Sequence, residues 1–406
     1  MTRRDDARAI FEAGLKAADP GEAVRRSLAD AAWAPAGRGR RVLIAVGKAA
    51  RGMAEAALDV VGPVDAALVV TTVPNAVPLV GCEVLGSSHP VPDAAGERAA
   101  RRVEELLARL APEDRVLALI SGGGSALLPA PVAGVTLEDK AEVNRLLLAS
   151  GADITEMNLV RQQLSRLKGG GVLRAAAPAA VTALILSDVP GDDLAVIASG
   201  PTVAPIGTRA EAAAALRARG LWDRLPGSVR AHLGAPDAGG PDLPRAENRL
   251  IGSNGISLAA MAQAAPGAPA EELTGDVAEA AARVLACGPG VHLFGGETTV
   301  QIRGDGKGGR NQELALRVAC GAEAAGWGED WVFLSGGTDG RDGPTDAAGG
   351  MVDAGTLARI RAAGLDPLAL LDNNDSYRAL EAAGDLLMTG PTGTNVADLQ
   401  VLIRGA

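Results

Sequence analysis

Lysine is scarce in this chain, five of 39 basic residues, so the places where it stands carry information. Lys48 follows the apolar run RVLIAV and Gly47 and precedes AARGMAEAALDVV. A strand, a glycine and then a helix would put its ammonium beside a helix N-terminus, where it can hold a phosphate as a point charge. The plainer reading is a solvated first-turn lysine. Lys307 and Arg310 lie in GDGKGGRNQE, where Gly306, Gly308 and Gly309 would let backbone amides approach an anion. Two cations on such a loop suit a polyphosphate undergoing transfer, because they neutralise charge as it moves to the leaving group. A second glycine-rich turn, Ser121, Gly122, Gly123, Gly124 and Ser125, follows the run RVLALI. Ligand crevices of parallel α/β sheets lie beyond the carboxyl ends of strands, which is where these turns fall. Gly304, Gly306 and Gly309 also satisfy G-x-G-x-x-G, with Glu329 about 20 residues on, the pattern of a dinucleotide loop. Such a loop is normally neutral at its tip, and this one is cationic. No GxxxxGK[ST] sequence occurs, so a nucleotide would be bound without a P-loop.

Acids gather twice, as Asp188, Asp192 and Asp193 in LSDVPGDD and as Asp339, Asp342 and Asp346 in SGGTDGRDGPTDAAGG. Carboxylates at strand ends can hold Mg²⁺ and can take the proton of a substrate hydroxyl. Asp188, Asp192, Asp339 and Asp342 are the candidate metal ligands, and Asp188 and Asp339 the candidate catalytic carboxylates. Turn hydrogen bonding is the alternative use of the same residues. His89 in GSSHPVPD, Glu297 in GGETT, and Asn158 and Arg161 in MNLVRQQLSRLKGGG are candidate substrate contacts. Asn158, Arg161 and Lys168 recur at roughly helical intervals, which suits either an anionic ligand or a salt-bridged helix. SGGGS lacks the G-x-S-x-G elbow, so a Ser-His-Asp hydrolase is not supported. Cys82, Cys287 and Cys320 have no CxxC spacing and read as small core residues rather than a disulfide or zinc framework.

These residues need elements to position them. Short β-branched runs alternate with Ala-rich segments of helical period, the pattern of βαβ units building a mainly parallel sheet. Predicted strands cover 41–47, 65–72, 115–121, 181–187, 291–296, 330–336 and 398–404. The Pro-, Gly- and Asp-rich stretch 226–248 predicts a linker, giving domains 1–235 and 236–406. The 406 residues are 47% hydrophobic but only 2% aromatic, so the core must be aliphatic. A net charge of −10 without a basic stripe argues against a nucleic-acid partner. No apolar run reaches transmembrane length, the N-terminus lacks a signal-peptide pattern, and the expected location is the cytoplasm with no membrane partner.

At these loops the sequence resembles the two-domain glycerate 2-kinase family with a MOFRL-type C-terminal half. The resemblance rests on VGKAARGMAEAA, SSHPVPDAAG, LISGGGSALLPAP, MNLVRQQLSRLKGGG, LILSDVPGDD, ASGPT, GSNGISL, GGETTVQIRGDGKGGRNQELAL, LSGGTDGRDGPTDAAGG and TGPTGTNVADL, running in order from about residue 40 to 400. It implies phosphorylation of D-glycerate at the 2-hydroxyl using ATP and a divalent metal such as Mg²⁺. It also implies that Lys48 and Arg310 are the central cations, and that a Rossmann-like N-terminal domain and a second, smaller α/β domain share a cleft. The rival readings are an NAD(P)H-dependent hydroxypyruvate reductase and a non-catalytic sugar-phosphate-binding regulator. A homodimer is one assembly the sequence allows.

Overall fold

The aliphatic runs become strands because each is apolar on both faces, the requirement for a parallel strand covered by helices above and below. The computed structural model describes residues 2–29, 33, 38–237, 243–244 and 246–405. The chain divides into two compact units, residues 23–251 and residues 252–406 together with 1–22.

In the first unit β1 (Arg41–Val46), β2 (Ala66–Thr72), β3 (Glu83–Ser87), β4 (Arg115–Ile120), β5 (Ala180–Leu186) and β6 (Ala246–Gly252) form one sheet in the order β3-β2-β1-β4-β5-β6. The pairs from β3 to β5 are all parallel. This is the doubly wound order, whose ligand crevice lies where the winding reverses, between β1 and β4. Register sets the carboxyl ends level: Val46 faces Ile120, and Ile120 faces Ile185. The turns after β1, β4 and β5 therefore emerge side by side. The core between sheet and helices is aliphatic as expected, with Val42, Ile44, Leu107, Val116 and Ala183 all buried.

A second core in this unit is helical. It joins Val143, Leu146 and Leu147 to Val160, Leu216, Val229 and Leu233. The last two belong to helix Gly227–Gly234, so the predicted linker is largely structure: a packed helix, then strand β6, with residues 238–242 and 245 outside the described set.

The other unit holds β7 (Ala270–Glu272), β8 (Gly275–Asp276), β9 (Gly290–Gly296), β10 (Thr298–Thr299), β11 (Trp331–Gly337), β12 (Gly349–Asp353), β13 (Leu386–Leu387) and β14 (Asp398–Arg404). Its main sheet runs β13-β12-β11-β14-β9-β7, while β8 and β10 pair separately. Only β7 joins that sheet in parallel; the other four pairings are antiparallel. The α/β reading holds, but the parallel alternation belongs to the first sheet. The last strand, β14, lies at the centre of the second.

Helix Arg3–Ala17 packs on this second sheet through Ala7, Ile10 and Phe11, in one cluster with Met261, Leu334 and Leu399. Gly14 permits the approach, since a Cβ there would lie 2.7 Å from Met261 Cγ. The compact units therefore differ from the expected division at 235/236 at both ends. Strand β6 extends the first sheet to Gly252, and the N-terminal helix buries its apolar face in the second unit. Among the described residues no helix is long and apolar enough to cross a membrane.

Candidate active site

The turns after β1 and β4 are bonded to each other. Ser121 N donates to Val46 O at 2.9 Å, Lys48 N to Gly122 O at 2.9 Å, and Ala49 N to Ser121 Oγ at 3.2 Å. Gly47 makes this possible: its φ is +130°, and a Cβ would fall 2.1 Å from Ser121 Oγ. Lys48 is thereby fixed just before helix Ala50–Val61.

Its side chain and the His89 ring lie across Gly123, where a Cβ would be 3.3 Å from Lys48 Cγ and 3.1 Å from His89 Cδ2. The carboxylate of Asp188 rests on Gly122, where a Cβ would be 2.1 Å from Oδ2. Burial raises the Asp188 carboxyl above its ordinary value against the pull of Lys48, and burial together with Lys48 lowers His89. The amides of Gly122, Gly123 and Gly124 donate to no other group among the described residues. Gly123 is left-handed at φ +83° and Gly124 opens a short helix, the sequence of conformations that turns consecutive amides to one side as an anion cradle.

Beside this turn Ser125 Oγ lies 3.0 Å from Ser199 Oγ, which donates to the buried Asn158 Oδ1 at 2.8 Å. Arg161, one turn along the same helix, donates to Asn144 Oδ1.

The other unit carries a separate constellation. Arg310 opens helix Arg310–Ala324 and grips the fully buried Asp398 with two bonds, Nε to Oδ2 at 2.6 Å and Nη2 to Oδ1 at 2.9 Å. Its Nη1 meets Glu297 Oε1 at 2.9 Å. Burial opposes the charge of Arg310, but Asp398 and Glu297 outweigh it and raise the guanidinium above its ordinary value. The start of the helix is capped from within: Asp342 accepts from Asn311 N at 3.1 Å and Gln312 N at 2.8 Å. Gly309 gives it room, since a Cβ there would lie 2.3 Å from Asp342 Cγ.

The glycine loop before the helix is likewise bound to its own chain. Gly306 N donates to Asn373 O at 3.0 Å, Lys307 N to Asp375 Oδ1 at 3.0 Å, and Gly304 N to Asn374 Oδ1 at 3.1 Å. Lys307 Nζ stands 3.9 Å above the Tyr377 ring.

Residues 6–234 match the family described as a domain of unknown function (DUF4147), and residues 290–398 match the MOFRL family. A D-glycerate 2-kinase of Thermotoga maritima is 43% identical over 89% of this chain and 89% of its own. A crystal structure of a glycerate kinase from the same organism superposes with a TM-score of 0.90 and 39% identity, covering 99% of both chains. A protein of Agrobacterium vitis that carries the name hydroxypyruvate reductase is 44% identical over 100% of this chain and 95% of its own. The chain belongs to the glycerate kinase family.

In this glycerate kinase family member the expected residues fall into two groups. The first brings Lys48, His89 and Asp188 onto the Ser121–Ser125 turn and ties Asn158 to it through Ser199. The second joins Arg310 to Glu297. Three expectations change, while Asp339 remains open. The amides of Gly306 and Lys307 are spent on residues 373–375 and so are not open to phosphates. Asp342, 3% exposed, serves as a helix cap rather than an open metal ligand. Asp339 is exposed and accepts from Arg341 N at 2.9 Å. The helix carrying Asn158 and Arg161 ends at Gln163, so Lys168 does not continue its face. Among the described residues no three His, Cys, Asp or Glu side chains gather as a metal centre. The thiols of Cys82, Cys287 and Cys320 are free and half-buried rather than fully in the core.

Three contributors escaped sequence reasoning. Asp398 is the first residue of β14, and only the pairing of that strand brings it to Arg310. Ser199 and residues 373–375 lie in loops without a periodic signal.

Proposed function

We propose that this chain transfers the γ-phosphoryl group of ATP to the 2-hydroxyl of D-glycerate, giving 2-phosphoglycerate and ADP. The observation that carries the reading is Lys48, fixed at the start of a helix beside three undirected amides, Gly122 to Gly124. Amides and ammonium together offer the fixed positive field that phosphoryl transfer requires, because the enzyme's task there is positioning and charge stabilisation. The kinase relatives support the choice of substrate.

In this reading the amides of Gly122–Gly124, with Ser125, receive the phosphates and Lys48 neutralises the migrating charge, whereas the expected amides of Gly47 and Ser121 are spent on Val70 O and Val46 O. The Gly306–Gly309 loop contributes through its placement of Lys307 and Arg310 rather than through all of its amides. Asp398 holds the guanidinium of Arg310 rigid, and a phosphoryl oxygen would compete with Glu297 for Nη1. His89, Asn158, Arg161 and Glu297 are assigned to the hydroxy acid.

The residues fit a Mg²⁺ ion that arrives with its nucleotide: such an ion keeps waters and needs only one or two carboxylates besides phosphates. Asp188, half-buried on the amide turn with its carboxyl raised by burial, would hold it, with Asp192 in the same loop, and the ion would offset charge on the phosphates. Asp339 is the carboxylate proposed to orient the substrate hydroxyl. A cytoplasmic location belongs to the same proposal, as does the lack of a nucleic-acid partner, which the net charge of −10 supports.

The test is a coupled assay of ADP release with ATP, Mg²⁺ and D-glycerate, with the product's phosphate position identified. ADP formed one for one with 2-phosphoglycerate, and reduced at least about a hundredfold in Lys48→Ala and Arg310→Ala, is the expected result. No ADP, but oxidation of NADH or NADPH by hydroxypyruvate, would establish the reductase whose name the Agrobacterium relative carries. The structure gives that alternative little support. The G-x-G-x-x-G loop follows no full strand, and its helix N-terminus is filled by Asp342.

A further inference from the structure

Three cations crowd one region of the first unit with only neutral partners. Lys168 is 6% exposed, and its Nζ donates to Ser125 Oγ. Lys140 Nζ donates to Leu164 O at 3.0 Å, and Arg161 Nε to Asn144 Oδ1 at 3.0 Å. A hydroxyl, a carbonyl and an amide oxygen satisfy donors but do not compensate charge, and buried charges in folded proteins are ordinarily paired. The groups also oppose one another. Burial, then Lys140 and Arg161, push Lys168 well down, while burial, Arg166 and Arg161 push Lys140 to about 7.

An ammonium has three donors, and the bond to Ser125 uses one. Ser125 is half-buried and follows directly on the unoccupied amides of Gly122–Gly124. Its hydroxyl is held by Ser199, which sits at φ +62° with Ala198 at φ +49°, conformations that a non-glycine residue keeps only when its surroundings enforce them. The arrangement is thus rigid, cationic and incomplete.

We infer that Lys168, Ser125 and Arg161 form an oxyanion subsite that takes a single carboxylate or phosphate group, with Lys140 adding to its field. The inference rests on the kinase reading only for which anion arrives. The hydroxy acid brings a carboxylate, and the nucleotide or product brings a phosphate.

The test measures binding of D-glycerate, inorganic phosphate and ATP, each alone, to wild type and to Lys168→Met by calorimetry, at constant ionic strength. At least one of the three is expected to bind wild type and to bind Lys168→Met about tenfold or more weakly, the loss that follows when a charged hydrogen bond is removed. Weakening confined to D-glycerate makes the substrate carboxylate the occupant; weakening of phosphate or ATP makes it a phosphoryl group. Lys168→Met is also expected to melt above wild type in the absence of these anions, because the fold no longer holds a buried amine that binds its proton less tightly than the unfolded chain does. Binding of all three unchanged in Lys168→Met overturns the subsite. Should that variant not fold, Arg161→Gln carries the same comparison. A wild type that binds an anion through Lys168 yet forms no ADP would overturn the kinase reading and leave the subsite standing.

Discussion

Gly122 and Gly47 have different reasons for lacking a side chain, and substitution separates them. At Gly122 a methyl group would strike only the tip of Asp188, which can swing away. Gly122→Ala is therefore expected to keep a Tm close to wild type while kcat in the ADP assay falls about a hundredfold, the cost of a displaced catalytic group. At Gly47 the methyl group would meet the Ser121 backbone as well, with its carbonyl oxygen 2.5 Å away, and the φ of +130° is strained for any L side chain. Gly47→Ala should lose about 2 kcal/mol or more in urea unfolding. Asp342 gives a pH test. Burial lifts its carboxyl to about 6 against the pull of the Gln312 and Asn311 amides. The native state then holds this proton more tightly than the unfolded chain, so the contribution to stability is full below the ordinary carboxylate range and is lost as pH rises through about 6. The shift corresponds to about 3 kcal/mol. Between about pH 4 and pH 7.5 the unfolding free energy of wild type should fall by roughly that amount relative to Asp342→Asn; parallel pH profiles would refute the assignment.

At the scale of elements, periodicity carried most of the information. The runs 41–47, 115–121 and 398–404 reappear as β1, β4 and β14 because an aliphatic run with β-branched residues has few alternatives once both faces are covered. Strands β12, with GGMVD, and β6, with AENRLIG, lack that signal: glycine and charged residues disguise them, and their neighbours supply the reason to extend. The N-terminal helix Arg3–Ala17 and its attachment to the second unit both come from the structure. Phe11, 1% exposed, packs against Gly336 of β11, where a Cβ would be 3.0 Å from its ring. Phe11→Ala should destabilise the second unit by about 3–5 kcal/mol, the usual cost of emptying an aromatic site in a core. Hydrogen exchange should locate that loss in β11 and β14 rather than in β1 and β4; uniform loss across both sheets would contradict the division of the chain.

For the molecule as a whole the division has a direct consequence. A fragment of residues 23–251 retains β6 at the edge of the first sheet, whereas one ending at residue 235 removes it and exposes the flank of β5. The longer fragment should show a cooperative melt and the shorter a lower Tm with more aggregation, because an uncovered strand edge pairs with other chains. Equal melting of the two would restore the boundary near residue 236. The aliphatic composition bears on the same scale. With 2% aromatic residues, burial is spread over many small side chains, so single Ala or Val changes in the sheets should each cost little beside Phe11, Phe294 or Phe333.

The sequence by itself determined the doubly wound first unit, the glycine turns at its strand ends, the placement of Lys48 ahead of a helix, and the family, because each rests on local pattern or on motif order along the chain. Tertiary structure decided which donors were still free. Among the described residues the amides of Gly122–Gly124 are left without partners, while those of the Gly304–Lys307 loop are consumed by residues nearly 70 positions away. It also decided that Asp342 caps a helix, that Asp398 orients Arg310, and that Lys168 reaches Ser125. These pairings join distant segments, and a hydrogen bond is satisfied by whatever the fold brings within about 3 Å, which no local pattern records.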